Sequence, residues 1–474
     1  MGDALLGALD DEFEGPDLGD PRLEARLLML ASALDDAPKA SLAEASKSVA
    51  EREAAYRFVE NHRVTMEAVM EPHRRKTAAR CADEGGPVYV VSDTSEFTFK
   101  GERRGEVLGR VEGLKRGFLA HTAIAVSGRG ERKPLGVLGI DIIVRDDEHK
   151  NHRNVYAQKR DPKRESLKWP SMVDRTESLL AGTPAIHVMD REGDIFELLS
   201  DLTTAGRRFV IRAAQDRWVQ GEGRLFTAVI GAPVLLQREV KLSKRTKEPR
   251  TSNGGRGHPR REERTAKLEI SSRRVTIRRP KTTTAEHPPE LTLNVVNVYE
   301  PSPPDGEAPV QWLLLTSEAV ESTEQVATVV DAYRARWLIE EFFKALKTGC
   351  DFEARQLRTI HTLTNTLGIL SVIAYRLLLL RWLERTASDA PATTALEPVL
   401  IEALAARLRH IREPKPLPPN PTVADLMRGI ARLGGHHKSN GPPGWQILWR
   451  GLHDLLLWGA GFAAGKSATS YDHS

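Results

Sequence analysis

Cysteine is scarce in this sequence, and its scarcity excludes several kinds of protein. Only Cys81 and Cys350 occur among the 474 residues, so the chain can build neither a disulfide framework nor a cysteine-rich zinc site. Free thiols are typical of proteins that act in the reducing cytoplasm, and we expect this location. The first fifteen residues are acidic and lack the basic and then apolar pattern of a secretion signal.

Long apolar runs without charge are missing as well. The longest apolar run, residues 367–383, contains Arg376 and Arg381, so it predicts a buried helix rather than a membrane span. Hydrophobic residues make up 40% and charged residues 28% of the chain, which is ordinary for a soluble globular protein. At roughly 150 residues per domain, the length predicts about three domains.

Positive charge is concentrated in one segment. The net charge is +4, yet residues 238–281 hold 16 basic and 5 acidic residues, which leaves the rest of the chain net negative. Concentrated positive charge is typical of a protein that binds a polyanion. The tip, residues 250–264, is rich in Gly, Ser and Arg, and a disordered basic loop is the alternative interpretation there. Its flanks, residues 235–242 and 266–277, alternate in polarity like strands.

The N-terminal region carries a helix start and basic side chains. Asp20-Pro21 is typical of a helix N-terminus, and leucines follow it at helical spacing. A helical bundle of this kind can bind DNA, but a plain helical cap on the core fits the pattern equally well. The candidate DNA-binding residues are Arg22, Arg26 and Arg57.

Apolar periodicity along the remaining chain predicts an α/β fold. Short apolar runs alternate with helical patterns from about residue 87 onwards, which indicates a mixed sheet with helical crossovers. The last stretch is helical and rich in Trp. We predict a helical domain over residues 1–80, an α/β core over 81–385 that a basic β-rich insertion interrupts at 215–308, and a helical domain over 386–474.

Two aspartates each follow a hydrophobic strand. Asp93 ends VYVVSD and Asp190 ends IHVMD. A strand end is where an α/β sheet exposes polar groups to a crevice. Either aspartate alone is weak evidence, because strand-terminal Asp residues often cap turns.

A cluster of polar residues follows on a predicted helix from about residue 323 to 347. Tyr333, Arg336, Glu340 and Lys347 are spaced by three, four and seven residues, which places them within roughly 60° of one helix face. Such a face can contact a metal ion and several phosphates of one strand. A solvated, salt-bridged face is the alternative, but apolar neighbours indicate that the helix is packed. With Asp93 and Asp190, Glu340 makes three carboxylates from separate elements. Such a set suits hard divalent cations, Mg²⁺ or Mn²⁺.

These residues resemble the DDE transposases of bacterial insertion sequences. The signature Tyr, two residues, Arg, three residues, Glu, six residues, Lys is matched without a gap. SDTS at Asp93 and MDREGDIFELL at Asp190 resemble the two aspartate motifs, and LGDPRLEARL, AAYRFVEN, WLLLTSEAVES and IARLGG resemble other segments. The resemblance is to the insertion-sequence-four family, near the branch with the transposase of the kanamycin-resistance composite transposon.

The resemblance implies an RNase H-like catalytic core with an inserted β-rich domain. It implies that Asp93, Asp190 and Glu340 are catalytic and bind two Mg²⁺ or Mn²⁺ ions. The enzyme would cut and paste DNA through a hairpin intermediate, with a flipped base stacked on Trp312. The residues that would hold phosphates are Tyr333, Arg336, Lys347 and Arg191.

The resemblance also implies partners. We expect double-stranded DNA, as transposon ends and as target, and a homodimer formed through the C-terminal helices, but no membrane. The protein would act in the bacterial cytoplasm, on the nucleoid when bound to DNA. Two alternatives stay open, namely another RNase H-like nuclease and a domesticated DNA-binding protein that no longer cuts. Inverted repeats beside the gene would favour the transposase.

Overall fold

The computed structural model describes residues 5–7, 9–100, 108–111, 115–145, 164–242, 261–386, 389–436 and 443–471. The chain divides into two compact units. We call the first the helical unit; it comprises Met1–Arg80, Lys133–Val137 and Glu340–Ser474. The second, the sheet unit, comprises Cys81–Arg132 and Leu138–Ile339. The three-domain division drawn from the sequence stays a prediction.

Strands in the described residues form one mixed sheet. Its order is β2-β3-β1-β5-β6-β12-β11-β10-β7-β8, with β4 beside β3 and β9 beside β10. The α/β class predicted from the sequence is confirmed. The strands are β1 Val88–Thr98, β2 Gly109–Arg110, β3 Arg116–Ser127, β4 Pro134–Ile143, β5 Ala185–Met189, β6 Arg208–Arg212, β7 Trp218–Val219, β8 Gly223–Arg224, β9 Val234–Leu242, β10 Arg264–Arg278, β11 Glu290–Tyr299 and β12 Gln311–Thr316.

Helices before, between and after these strands complete the two units. The α-helices are α1 Pro21–Asp36, α2 Leu42–Ala45, α3 Val49–Glu60, α4 Met66–Asp83, α5 Lys168–Leu180, α6 Phe196–Thr204, α7 Leu225–Ala228, α8 Thr323–Ala335, α9 Trp337–Lys344, α10 Ile360–Thr386, α11 Pro398–His410, α12 Val423–Leu433 and α13 Trp445–Tyr471.

The middle of the sheet is buried on both faces. All five residues of β5 and the first five of β1 are buried, which explains why their sequences are continuous apolar runs. Trp169 of α5 and Phe196 of α6 pack in one cluster with Phe209 of β6. Burying such side chains stabilises the sheet by roughly 1.5–3 kcal/mol each.

The basic insertion extends the same sheet instead of forming a separate one. Its predicted flanking strands are confirmed as β9 and β10, and alternate residues of β10 such as Ala266, Leu268 and Ile270 are buried. β11 pairs with β12, and β12 pairs with the core strand β6. The tip predicted at residues 250–264 lies outside the described residues as far as residue 260.

In the helical unit, the predicted start of α1 is confirmed. Asp20 caps the helix by accepting a hydrogen bond from the backbone N of Arg22 at 2.9 Å, and Pro21 occupies the first turn. α10 is long and apolar enough to cross a membrane, yet 94% of its apolar window is buried inside the protein. The predicted buried helix is therefore confirmed. Asn365 of α10 donates to the carbonyl oxygens of Val59 and Val64.

Candidate active site

Backbone pairing in the sheet unit brings Asp93 and Asp190 side by side. β1 and β5 are parallel, and the last pair in their register is Ser92 with Met189. Each aspartate is the next residue, so the two lie at the same step of strands that are about 4.8 Å apart. Carboxyl ends of parallel strands are where α/β sheets place their ligand sites.

Asp93 lies inside a strand, not at its end. The sequence suggests one strand before Asp93 and another after it, but β1 runs unbroken through Asp93 to Thr98. The separate-strand interpretation is wrong because β3 continues to pair with β1 after β5 has stopped, with Thr122 opposite Asp93. The side chain of Asp93 is held by this continuous backbone.

Local hydrogen bonds orient both carboxylates. Asp93 Oδ1 accepts from the backbone N of Thr94 at 2.7 Å. Asp190 Oδ1 accepts from the backbone N of Glu192 at 2.8 Å and so caps the short 3₁₀ helix Arg191–Gly193. Charge-assisted bonds of this kind are stronger than neutral ones.

Arg336 supplies a positive charge to the pair. Its Nη1 lies 3.1 Å from Asp93 Oδ2, and both side chains are mostly buried. Burial raises the pKa of the Asp190 carboxyl, which the hydrogen bond from Glu192 and the charges of Arg336 and Lys168 partly oppose. Two desolvated carboxylates side by side thus need a cation nearby.

Oxygen ligands in this arrangement fit a hard divalent cation. Carboxylate oxygens are the ligands that Mg²⁺ and Mn²⁺ prefer, and a cation beside Asp190 would relieve the cost of its burial. The described residues contain no group of three or more His, Cys, Asp or Glu side chains placed to hold a metal ion. Asp93 and Asp190 lie in the sheet unit, and Glu340 is an exposed residue in the part of α9 that belongs to the helical unit.

The predicted helix over 323–347 is interrupted. α8 ends at Ala335, and hydrogen bonds from Arg336 N to Tyr333 O and from Ile339 N to Arg336 O tighten the chain there. α9 ends at Lys344, and Ala345–Gly349 forms a π-helical turn that contains Lys347. The predicted regular face of four residues is wrong in detail, because both the tight turn and the wide turn change the angle per residue.

Two family models together match more than half of the chain. A transposase DNA-binding model matches residues 7–64, and a transposase DDE domain model matches residues 139–377, half of the chain. The chain belongs to the DDE transposase family. The enzyme class predicted from the sequence is thereby confirmed. The DDE match includes Asp190 and Glu340, whereas Asp93 lies before its first residue.

A solved transposase structure is also similar to this DDE transposase, at low similarity. It is described as a cryo-EM structure of the piggyBac transposase synaptic complex with hairpin DNA. The TM-score is 0.36 and the sequence identity 8%, over 75% of this chain and 64% of that chain. The transposase described here thus spans less than two thirds of the length of that structure's chain.

Trp312 and Tyr333 pack against each other in the sheet unit. Their rings meet edge to face with centroids 5.4 Å apart. Tyr333 is buried and Trp312 is half-buried on β12. The buried ring of Tyr333 holds the Trp312 indole in place. Of these two rings, only that of Trp312 is partly exposed to solvent.

The other predicted DNA contacts of the transposase lie at its surface. Arg191 is exposed directly after Asp190, and its partial burial and the nearby charge of Arg212 lower the pKa of its guanidinium. Arg22 pairs with Asp20, and its side chain is exposed. Arg57 is likewise exposed on α3, and Arg26 is half-buried on α1. Guanidinium groups at the surface are suited to phosphate contacts, and Arg22, Arg26 and Arg57 lie within the residues that the DNA-binding model matches.

Two residues near the aspartates carry no signal in the sequence. Lys168, the first residue of α5, places a charge that acts on Asp190. His121 of β3 is buried, with Nδ1 2.9 Å from Thr94 Oγ1 and its ring edge-on to Trp169. Neither belongs to a motif that the sequence analysis recognises, so only the three-dimensional structure finds them.

Proposed function

We propose that this DDE transposase is a cut-and-paste enzyme of the insertion-sequence-four family, related to the transposase of the kanamycin-resistance composite transposon. It would cleave the ends of its insertion sequence and join them to target DNA. The adjacency of Asp93 and Asp190 on paired strands, with Arg336 beside them, is the observation that carries the proposal. The basic insertion and the match to a transposase DNA-binding model support DNA as the substrate.

Asp93 and Asp190 would hold the divalent ions, with Glu340 as the third carboxylate on the evidence of its signature spacing. When bound, two Mg²⁺ or Mn²⁺ ions would activate the attacking oxygen and stabilise the leaving one. The nucleophile is water in the first cut and a DNA 3′-hydroxyl afterwards. No covalent bond between enzyme and DNA is needed.

Arg336 would change partners when DNA arrives. Its guanidinium faces Asp93 in the free enzyme, and a guanidinium binds a phosphate as well as a carboxylate. Near the scissile phosphate it would hold the DNA and release Asp93 for its ion. Lys347 and Arg191 would hold neighbouring phosphates, and charge neutralisation by these groups would make binding strongly salt-dependent.

Hairpin formation requires a base to leave the stack. Trp312 is half-buried and is fixed by Tyr333, so it can serve as a rigid stacking platform. The N-terminal helices would read the end sequence. Two copies of the chain would bridge two ends, with the C-terminal helices as the dimer contact.

Cleavage by matched variants tests the proposal. Linear duplexes made from the DNA on either side of the gene are incubated with the protein and Mg²⁺, beside Glu340→Gln and Glu341→Gln. Glu341 is paired with Arg385 at 2.8 Å, so its variant controls for loss of charge on the same helix. We expect nicks and hairpins at the element end with the native chain and Glu341→Gln, and binding without cleavage with Glu340→Gln.

Other results would overturn the proposal in distinguishable ways. Specific binding without cleavage by the native chain, even with Mn²⁺, would indicate a domesticated DNA-binding protein. Cleavage of any duplex regardless of its end sequence would indicate another RNase H-like nuclease. Cleavage by Glu340→Gln at the rate of Glu341→Gln and the native chain would remove Glu340 from the site.

A further inference from the structure

A cleft in the sheet unit lies outside the aspartate site. It has a volume of about 810 Å³ and is bordered by the chain after Asp190, by β7 and β8, and by the end of β10. This volume falls in the range in which proteins enclose small ligands, roughly 300–1,000 Å³. Its first lining residue is Asp194, four residues after Asp190, so the cleft begins no more than about 14 Å along the chain from that aspartate.

An exposed tryptophan forms part of the cleft. Trp218 of β7 is 53% exposed, which is unusual for so large an apolar side chain. The guanidinium of Arg224 lies 4.5 Å from the centre of its ring. An indole kept at the surface and flanked by a guanidinium is a platform on which a nucleobase can stack.

Basic side chains surround this platform. Arg278, Arg279 and Lys281 line the cleft together with Arg224. Arg278 is exposed and lies 3.8 Å from Glu290, which is a loose pair. Guanidinium and ammonium groups on separate segments can contact successive phosphates of one strand.

The acidic groups of the cleft are engaged within the protein. Asp194 is completely buried and accepts hydrogen bonds from Arg217 and from the backbone N of Ala214 and Gln215. Glu197 accepts from Thr283 Oγ1 at 2.9 Å, and exposed Asp216 accepts from the backbone N of Phe226 at 2.9 Å. The charge of Asp194 is paired with Arg217, and the five basic residues of the lining outnumber the three acidic ones, so the lining is net positive.

We propose that this cleft binds unpaired nucleotides of a DNA strand, with a base stacked on Trp218 and phosphates held by Arg278 and Lys281. The inference rests on the proposed function for its substrate class, since a DNA-processing site exposes unpaired nucleotides close to Asp190. The strand can come from the cleaved end or from the target.

Binding of fluorescent oligo(dT) tests the cleft directly, without metal and without cleavage. Trp218→Ala should weaken oligo(dT) binding roughly 5- to 100-fold, the range that stacking on one aromatic side chain gives. Trp218→Phe keeps a ring and should lose less. The control is Phe226→Ala, because Phe226 is also exposed in this region but does not line the cleft. Lys281→Gln should lower the salt dependence of binding by about one phosphate contact.

Native affinity in Trp218→Ala would overturn the proposal, as would equal losses in Trp218→Phe or Phe226→Ala. Arg278→Gln is a second variant, chosen because an exposed charge is not needed for folding. Unchanged oligo(dT) binding by Arg278→Gln would contradict the proposed phosphate contact of Arg278. Thymidine monophosphate that competes as well as oligo(dT) would indicate a nucleotide pocket and overturn the strand assignment.

Two further experiments distinguish the source of the bound strand and separate the cleft proposal from the transposition proposal. Duplexes carrying an unpaired extension on the element end or on unrelated target DNA show which strand binds more tightly through Trp218. Weakened oligo(dT) binding in Trp218→Ala, when the native chain cleaves no element end, would support the cleft and contradict the transposition proposal alone. Normal cleavage of element ends by the native chain, with unchanged oligo(dT) binding in Trp218→Ala, would support the transposition proposal and contradict the cleft alone.

Discussion

Arg336 Nη1 lies 3.1 Å from Asp93 Oδ2, although 243 residues separate the two in the chain. The ion pair joins the tight turn between α8 and α9 to the middle of β1. Asp190 follows the neighbouring strand β5, so the guanidinium of Arg336 pairs with Asp93 and its charge also acts on Asp190. Arg336 and the more distant Lys168 both contribute positive charge to this region.

Arg336→Gln should make the protein depend on divalent ions for stability. Removing the guanidinium leaves Asp93 without this cation, so we expect the metal-free protein to lose about 1–3 kcal/mol of unfolding free energy. Binding of Mg²⁺ would offset the loss, because a ligand of the folded state stabilises it. Thermal unfolding in EDTA and in Mg²⁺ measures both effects. Arg334→Gln, which removes a pair with Asp331, is the control; an equal response to Mg²⁺ in both variants would contradict the prediction.

Asp194→Ala should strongly destabilise the sheet unit. The carboxylate is fully buried against Arg217, and breaking a buried pair from one side leaves an uncompensated charge. We expect a loss of about 3–5 kcal/mol in the free energy of unfolding, measured with urea. Asp174→Ala removes an exposed carboxylate that pairs with Arg207 and should cost at most about 0.5 kcal/mol. Similar small losses in both would show that the buried pair is not a stabilising contact.

His121 should make stability fall in mild acid. Burial lowers the pKa of His121 to about 3, whereas an unfolded His has a pKa of about 6.5. The unfolded chain then takes up a proton first, so the contribution is complete above pH 6.5 and declines as the pH falls towards 3. Between pH 7 and pH 4.5, the free energy of unfolding of His121→Gln should fall by about 1–3 kcal/mol less than that of the native chain. Denaturant titrations at both pH values test this, with exposed His62→Gln as the control; identical pH profiles for the native chain and His121→Gln would refute it.

Arg57→Gln should weaken binding to element ends without altering the fold. Arg57 pairs with Glu53 at 3.0 Å on an exposed helix face within residues 7–64. Losing one phosphate contact should reduce the slope of log affinity against log salt by about one. Arg75 forms the same kind of pair with Glu71 but lies outside the matched residues, so Arg75→Gln should bind normally. Gel shifts across a salt series decide between a DNA contact and a plain surface pair.

The strands of the candidate site are predictable from the sequence, but their arrangement is not. Continuous apolar residues before Asp93 and Asp190 predict β1 and β5, because strands buried on both faces need such runs. Their adjacency depends on pairing between segments about a hundred residues apart, which periodicity does not encode. For the same reason, the alternation in β9 and β10 predicts strands but not that they continue the core sheet.

Single residues outside any periodic pattern escape sequence reasoning. No Pro or Gly marks the turn at Arg336, so the spacing of Tyr333, Glu340 and Lys347 predicts an unbroken helix. Trp218 lies in a two-residue strand, and Lys168 begins an ordinary amphipathic helix. Their surroundings come from the tertiary fold, and only the structure identifies them as candidate site residues.

The register between β1 and β5 also sets which changes in length the chain can tolerate over evolution. Side chains alternate between the faces of a strand, so deleting one residue from β5 would turn every later side chain of that strand to the opposite face. The loops that join the strands between β6 and β12 can change in length without shifting the register within any strand. Homologous chains should therefore differ in length mainly between β6 and β12, while the spacing from the start of each central strand to its aspartate stays constant.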